Sequence, residues 1–520
     1  MPSRTSEPET STYEEPERAL RTGRLGTPGL LFSVLAAGAP LMAVAGTMPT
    51  AFDATGVVGQ PLLFLVLGVV LGLFAVGYAE MSRHVRNAGA LYAYIARGLG
   101  PTAGACAAHG ALVAYSALQV GVYGVFGFEV SSLLDTYRGV TIDWWVPALL
   151  AVALVGGLGR LRIGLNARVL GVLLLIEVAL VVVFDLAALA KPATGRLSPH
   201  AFNPHALEHG SAGIALCFCV AAFIGFEQAP AYAEETGRPR VVVRRVLFLA
   251  VGLVTAFLAL SSWALTLAAG PQDIVDSAQK QGSGLLFALA GKNLGTTFGD
   301  VLHVVFVTGA FAALLGLHNV VARYVFAMGR DGLLPAGFGR TSPTSGAPAA
   351  GSLFQTVVSV AVVAAFALTD HWPAGDPTAP VTHLFTWTGS VGVLGVVLLM
   401  AAASLAVIVF FVRRGEARAQ LWRLLAAGAA GIALLGIAAY SVRQLPVLTG
   451  AGPDDALTWA LPGIVVLALL VGLVYGLVLR ARRPGAHAGI GLGEEACPVP
   501  GALPGPRGPG ARESGRGTRL

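Results

Sequence analysis

Long runs of apolar residues separated by short polar loops dominate the chain. They lie at 30–52, 61–81, 103–134, 144–159, 165–190, 211–235, 242–269, 299–328, 351–369, 382–412, 421–442 and 458–480. A helix needs about 20 apolar residues to cross the hydrocarbon of a bilayer, so the pattern predicts about twelve membrane-spanning helices. The runs are continuous and rich in Leu, Ala and Gly, unlike the alternating ten-residue segments of a membrane barrel. The predicted fold class is all-α integral membrane.

Two runs are interrupted. The first contains Gly38, Pro40, Gly46 and Pro49, and the sixth contains Gly225, Glu227 and Pro230. Proline lacks an amide donor and its ring clashes with a carbonyl one turn earlier, so backbone groups are freed at membrane depth. Such groups persist only where they line a cavity or are buried in protein. Two interruptions five spans apart predict an inverted repeat of five plus five helices, about 28–190 and 210–412, with extra helices within 421–480. The central site of this secondary-transporter plan is expected from Gly38, Ala39, Pro40 and Leu41 on one side. Phe223, Ile224, Gly225, Phe226 and Glu227 form the other.

Composition agrees: 55% of residues are apolar and 12% charged, with a mean hydropathy of +0.72. Cationic residues are retained on the cytoplasmic side of a membrane. Arg83, Arg86, Arg97, Arg160, Arg162, Arg238, Arg240, Arg244, Arg245, Arg330, Arg340, Arg413, Arg414, Arg482 and Arg483 fall at one end of the spans. Arg138, Lys191, Arg196, Lys280, Lys292 and Arg443 fall at the other. Both termini are therefore expected in the cytoplasm, with the protein in the plasma membrane. The domains read as a cytoplasmic tail (1–27), a transmembrane domain (28–481) and a disordered cytoplasmic tail (482–520). The basic charge lies in juxtamembrane loops, which predicts anionic lipid rather than nucleic acid as partner.

Cys106, Cys217, Cys219 and Cys497 have no paired metal-type spacing, and no cofactor or metal is expected. The sequence has no His/Asp/Glu metal cluster, Gly-x-Ser-x-Gly elbow or phosphate loop, which argues against an enzyme.

Four stretches together resemble the amino acid–polyamine–organocation superfamily of permeases. They are the interrupted first span; Asn87-Ala-Gly89-Ala-Leu-Tyr92-Ala-Tyr94; Phe223-Ile-Gly-Phe-Glu227 with Ala233-Glu-Glu235 and Arg238-Pro239; and His318-Asn319, Ala322-Arg323-Tyr324 and Met328-Gly-Arg-Asp-Gly-Leu-Leu-Pro335. The resemblance implies a LeuT-like fold with broken helices 1 and 6, alternating access and a zwitterionic amino acid as substrate. The first break departs from the family's Gly-Ser-Gly-like run, reading Met42-Ala43-Val44. That keeps a polyamine or other amine carrier, an exchanger, or a transport-inactive sensor of the same fold as alternatives. Where some exchangers have a gating aromatic the chain has Ala221, which leaves Phe218, Phe223 or Phe226 for that role.

Within this frame Glu227 is expected to pin the two breaks together by accepting amides of the first one, or to meet a proton or a substrate amine. Glu177 lies in Val172-Leu-Leu-Leu-Ile-Glu177-Val-Ala-Leu-Val with no other charge nearby in sequence. The resemblance places it where some proton-coupled relatives carry a lysine. A carboxyl enclosed in hydrocarbon is costly to ionise, so Glu177 is the candidate proton carrier; a neutral, hydrogen-bonded core acid is the alternative. The eighth span offers Thr308 but no hydroxyl pair for sodium. Tyr115, Gln119 and Tyr123 share a helical face and either line the substrate cavity or tie helices together. Thr386, Thr388 and Ser390 are weaker cavity candidates. His318 and Asn319 read as interhelical links, and Arg323 and Arg330 as side chains reaching the interface.

Overall fold

In the computed structural model, residue 20 and residues 25–161, 163–369, 378–450, 452 and 455–493 are described. Eleven helices among these are long and apolar enough to cross a membrane. In chain order they are α1 (Thr27–Thr55), α2 (Gln60–Met81) and α3 (Pro101–Arg138), then, after the short α4 (Trp145–Leu158), α5 (Ala167–Ala190), α6 (Ala212–Glu235) and α7 (Pro239–Ala269). α8 (Thr296–Arg330), α9 (Ala349–Leu368), α10 (Pro380–Arg413), α11 (Leu421–Arg443) and α12 (Leu457–Arg482) complete the series.

The apolar runs thus become helices, as their length and unbroken hydrophobicity require. The run at 144–159 is the exception in length: α4 has 14 residues and spans about 21 Å at 1.5 Å per residue. It ends where Gly156, Gly157 and Gly159 lead into Arg160.

α3 packs against α8, α10 and α12, while the first half of α1 lies against α5, α7 and α8. Small residues permit the closest approaches. Gly316 of α8 lies against Ala37, with only 2.9 Å between the Ala37 Cα and the place a Cβ on Gly316 would take. This is the packing expected where lipid tails remove any hydrophobic drive between helices and close van der Waals contact takes over.

The tail expected to be disordered from 482 is ordered at its start. Pro484–Gly489 is helical, Ile490 is buried against Gly104 of α3, and Gly491 lies against Ala93 and Ala96 of the helix Ala90–Leu99. A single isoleucine in a Pro/Gly/Arg-rich stretch gives this segment something to bury. Residues 494–520, and nearly all of 1–27 before α1, lie outside the described residues.

Candidate functional site

The first half of α1 stops at Ala37, and Gly38 and Ala39 leave the helix, Ala39 with φ of 46°. Helix resumes at Pro40, whose fixed φ and missing amide suit a first helical position. Leu41 and Met42, just inside the restarted segment, have no backbone carbonyl before the break as a hydrogen-bond partner among the described residues. Ala43–Thr47 then forms a π-helical turn before α-helix returns at Met48.

α6 is interrupted beside it. Its first half ends at Ala221, Ala222–Gly225 leave the helix, and Phe226–Glu235 continues as a 3₁₀ helix. Gly225 has φ of 130°, a conformation open only to glycine, and the place of its absent Cβ is 2.9 Å from the Gly38 amide nitrogen. The two interruptions are in van der Waals contact. Any side chain at residue 225 would drive them apart.

A cavity of about 260 Å³ opens beside this contact. Gly38, Ala39 and Ile224 line it at the breaks, Leu118 and Val122 from α3, Phe218 and Ala221 from α6, and Ala313 and Leu317 from α8. α10 contributes Phe385, Thr386, Gly389, Ser390 and Val393, next to a second π-helical turn at Pro380–Phe385. Single π turns are frequent at functional sites because they release carbonyls from the helical ladder. The Thr386 hydroxyl donates to one of these, Val381 O, at 3.0 Å. No Asp, Glu, Lys, Arg or His lines the cavity among the described residues. It extends to Thr50 and Ser283, which are exposed at the arginine-poor end.

Several expected site residues stand behind this wall. Pro40, Leu41, Phe223, Gly225, Phe226, Glu227, Tyr115 and Gln119 are buried but do not line the cavity. Phe226 packs edge-on against Phe74, and Phe223 lies near Phe64. Glu227 is fully buried. It accepts the Tyr115 hydroxyl at 2.8 Å and the Gly225 amide at 2.8 Å. Its carboxylate therefore braces the α6 break against α3, and its partners are not the amides of the first break. Gln119 bonds Tyr123, Leu314 O and His318, and His318 in turn meets Ser352. The polar face of α3 looks into α8. The face about 100° around, carrying Leu118 and Val122, looks into the cavity. Thr386 and Ser390 reach the cavity, whereas Thr388 bonds Leu384 O.

Glu177 lies behind the restart of α1. It is 1% exposed, neither carboxyl oxygen has a hydrogen-bond partner, and it faces the Leu41 amide without closing a bond. The opposite wall is Gly309, where a Cβ would come within 2.0 Å of Oε1.

The arginine-rich end is shut. Arg323 meets Glu235 through two bonds of 2.7 and 3.0 Å, lies 4.3 Å from the centre of the Tyr232 ring and donates to Asn319 O. Arg330 pairs with Glu234 at 2.6 and 2.9 Å, and Glu234 also accepts the Ala88 amide. Neither arginine reaches the interface as the sequence suggested, because α6 ends in two carboxylates at their depth. Beside them Asp331 accepts the Tyr92 hydroxyl and the Gly491 amide.

Burial pushes the Asp331 carboxyl up to about 6, against the Gly491 amide, Arg330 and Tyr92, which favour its ionised form; Glu234 adds to the rise. The folded value exceeds the ordinary 3.8. The stability this group contributes is thus complete below that value and lost as pH rises through 6. Asp331→Asn, which cannot ionise, should gain melting temperature relative to the parent between pH of about 5 and about 7.5 in detergent. An unchanged difference would remove Asp331 as the cause.

Residues 30–469 match the family model described as "Amino acid permease". The chain belongs to the amino acid permease family. The permease is 27% identical over 352 residues to the branched-chain amino acid permease BcaP of Lactococcus lactis subsp. cremoris (strain MG1363), covering 62% of this chain and 70% of that protein. It is 24% identical over 339 residues to the protein of the same name from Bacillus subtilis (strain 168), covering 61% and 70%. The superfamily resemblance read from the four sequence stretches and the all-helical membrane fold are both upheld. The permease is a multi-pass membrane transporter of amino acids, not an enzyme.

Proposed function

We propose that the permease carries branched-chain amino acids together with a proton, by alternating access around the cavity at the two helix breaks. The observation that carries this reading is a mainly apolar cavity without ionisable lining residues among the described ones, set against two helix interruptions. A polyamine would require carboxylates in that wall. A zwitterion needs only partial charges: the Met42 amide at the start of a half-helix for its carboxylate, and carbonyls at the end of the first half of α6 for its ammonium. Leu118, Val122, Phe385 and Val393 then offer the aliphatic side chain its surroundings. The printed names of the two relatives favour the same substrate class.

The two breaks fall at corresponding places in α1 and α6, which supports the five-plus-five inverted repeat. The arginine-rich end is read as cytoplasmic. The cavity then reaches the outside while Arg323–Glu235 and Arg330–Glu234 close the inside, one of the two states that alternating access requires.

Glu177 supplies the proposed proton coupling. It and the substrate carboxylate approach one half-helix terminus from opposite sides, Glu177 at the Leu41 amide and the substrate at the Met42 amide. Two negative charges so placed repel, so substrate binding and protonation of Glu177 favour each other. The proton and the amino acid are carried as one load.

The test is uptake into proteoliposomes with an alkaline lumen, competing labelled leucine against isoleucine, valine, alanine and putrescine. Competition by putrescine without competition by leucine would replace this reading with the amine carrier. The side-chain pocket has its own test at Gly389, where a Cβ would meet nothing within 4 Å. Gly389→Val should reduce leucine transport about tenfold or more relative to alanine, the scale on which methylenes discriminate in an apolar pocket. Equal losses for both substrates would place the side chain elsewhere.

A further inference from the structure

We propose that the segment Pro484–Gly493 is a strap that docks on the cytoplasmic face and holds the inner gate shut, so that its release speeds transport. This rests on the orientation and alternating access proposed above. Three seats receive the strap. Ile490, 2% exposed, fits against Gly104 of α3, its Cγ2 3.3 Å from the place of a Gly104 Cβ, while the place of a Gly491 Cβ is 2.6 Å from Ala96 Cβ of the helix Ala90–Leu99. His487 Nε2 lies 2.9 Å from the Thr102 hydroxyl of α3. The Gly491 amide donates at 2.8 Å to Asp331, immediately after α8.

The position of the third seat gives the strap its leverage. Asp331 Oδ2 accepts both Gly491 and the Tyr92 hydroxyl, at 3.1 Å, so one oxygen gathers the strap, the Ala90–Leu99 helix and the end of α8. Gly493 backs onto the Arg86 carbonyl and the Arg330 guanidinium, the latter already holding Glu234. Opening the inner face must separate the Glu234 and Glu235 end of α6 from α8, and with it the neighbouring 87–99 segment that Glu234 grips through Ala88. A strap seated across that segment, α3 and α8 resists such a separation, because the elements cannot part without unseating Ile490 or breaking the Gly491 bond. Neither the cavity nor the breaks touch the strap, so it acts on the rate of opening and leaves substrate recognition alone.

The test compares the full chain with a chain ending at Arg483 and with Ile490→Asp, in leucine counterflow between proteoliposome lumen and bath. Both variants should exchange leucine faster, by about tenfold if the lost restraint equals one hydrogen bond to a charged group. Leucine-dependent thermal protection should match the parent, which certifies folding. Hydrogen exchange on the unmodified protein provides a second readout: strap amides should be protected at rest and lose protection when leucine is present on both sides. Parent-like exchange rates in both variants, or strap protection indifferent to turnover, would overturn the strap. Failure of the underlying transport reading looks different: the parent itself then shows no counterflow, while strap protection at rest persists.

Discussion

Glu177→Gln is expected to bind leucine and to exchange it across the membrane, yet to lose the ability to concentrate it against a pH gradient. With one proton per substrate, the parent should accumulate leucine up to about tenfold for each pH unit across the membrane, since one unit is worth 1.36 kcal/mol. The glutamine variant should equilibrate at a ratio near one. Geometry sets this contrast: the side chain sits against Gly309 and the Leu41 amide with both oxygens unpartnered, so the amide replacement keeps its shape and removes only its charge. A neutral side chain at the half-helix terminus leaves the substrate carboxylate nothing to repel. Undiminished accumulation in Glu177→Gln would require another proton carrier. Asp185, buried in the same helix with Ser261 at 2.8 Å, is the acid to substitute next.

The second large effect concerns the inner closure. Arg323→Ala leaves Glu235 charged and enclosed, and uncovering one partner of a buried pair costs about 3–5 kcal/mol. The loss falls on the closed inner face in particular, because Arg323 belongs to α8 and Glu235 to α6, the elements that must separate. We expect a lower melting temperature, and faster labelling of a cysteine introduced at Ser82 from the arginine-rich side. The double replacement Arg323→Met with Glu235→Leu should recover much of the stability, since well-packed apolar pairs often equal a buried ion pair. It should not recover a gate that opens and closes. A single mutant as stable and as closed as the parent would show that the pair carries no load.

The spans were legible because a bilayer imposes one strong demand, a run of about 20 apolar residues, and the chain meets it almost everywhere. Gly38, Pro40 and Gly225 stand out in the sequence as well, because they cannot continue a regular helix without consequence. The cavity wall was much harder to read. Leu118, Val122 and Val393 are ordinary apolar residues on apolar helices, and only packing decides that they face empty space. For the polar residues, packing decides between the two roles the sequence allows. Tyr115, Gln119 and Tyr123 do turn inward, but the interior beside α3 is the body of α8 rather than the cavity. The partners of Arg323 and Arg330, Glu235 and Glu234, lie 88 and 96 residues earlier in the chain, a separation that hydropathy does not register. The seat of Ile490 was not legible because an isolated apolar residue in a Pro/Gly/Arg-rich stretch has no periodicity to announce it.

The short α4 carries a consequence for the surrounding lipid. At about 21 Å it falls short of a hydrocarbon layer of about 30 Å, and Leu150 and Leu154 are exposed on its outer side. Mismatch of this sign is relieved by local thinning. The annulus beside α4 should therefore enrich in shorter-chain phospholipids, and acyl-chain length becomes a variable to which this side of the permease responds.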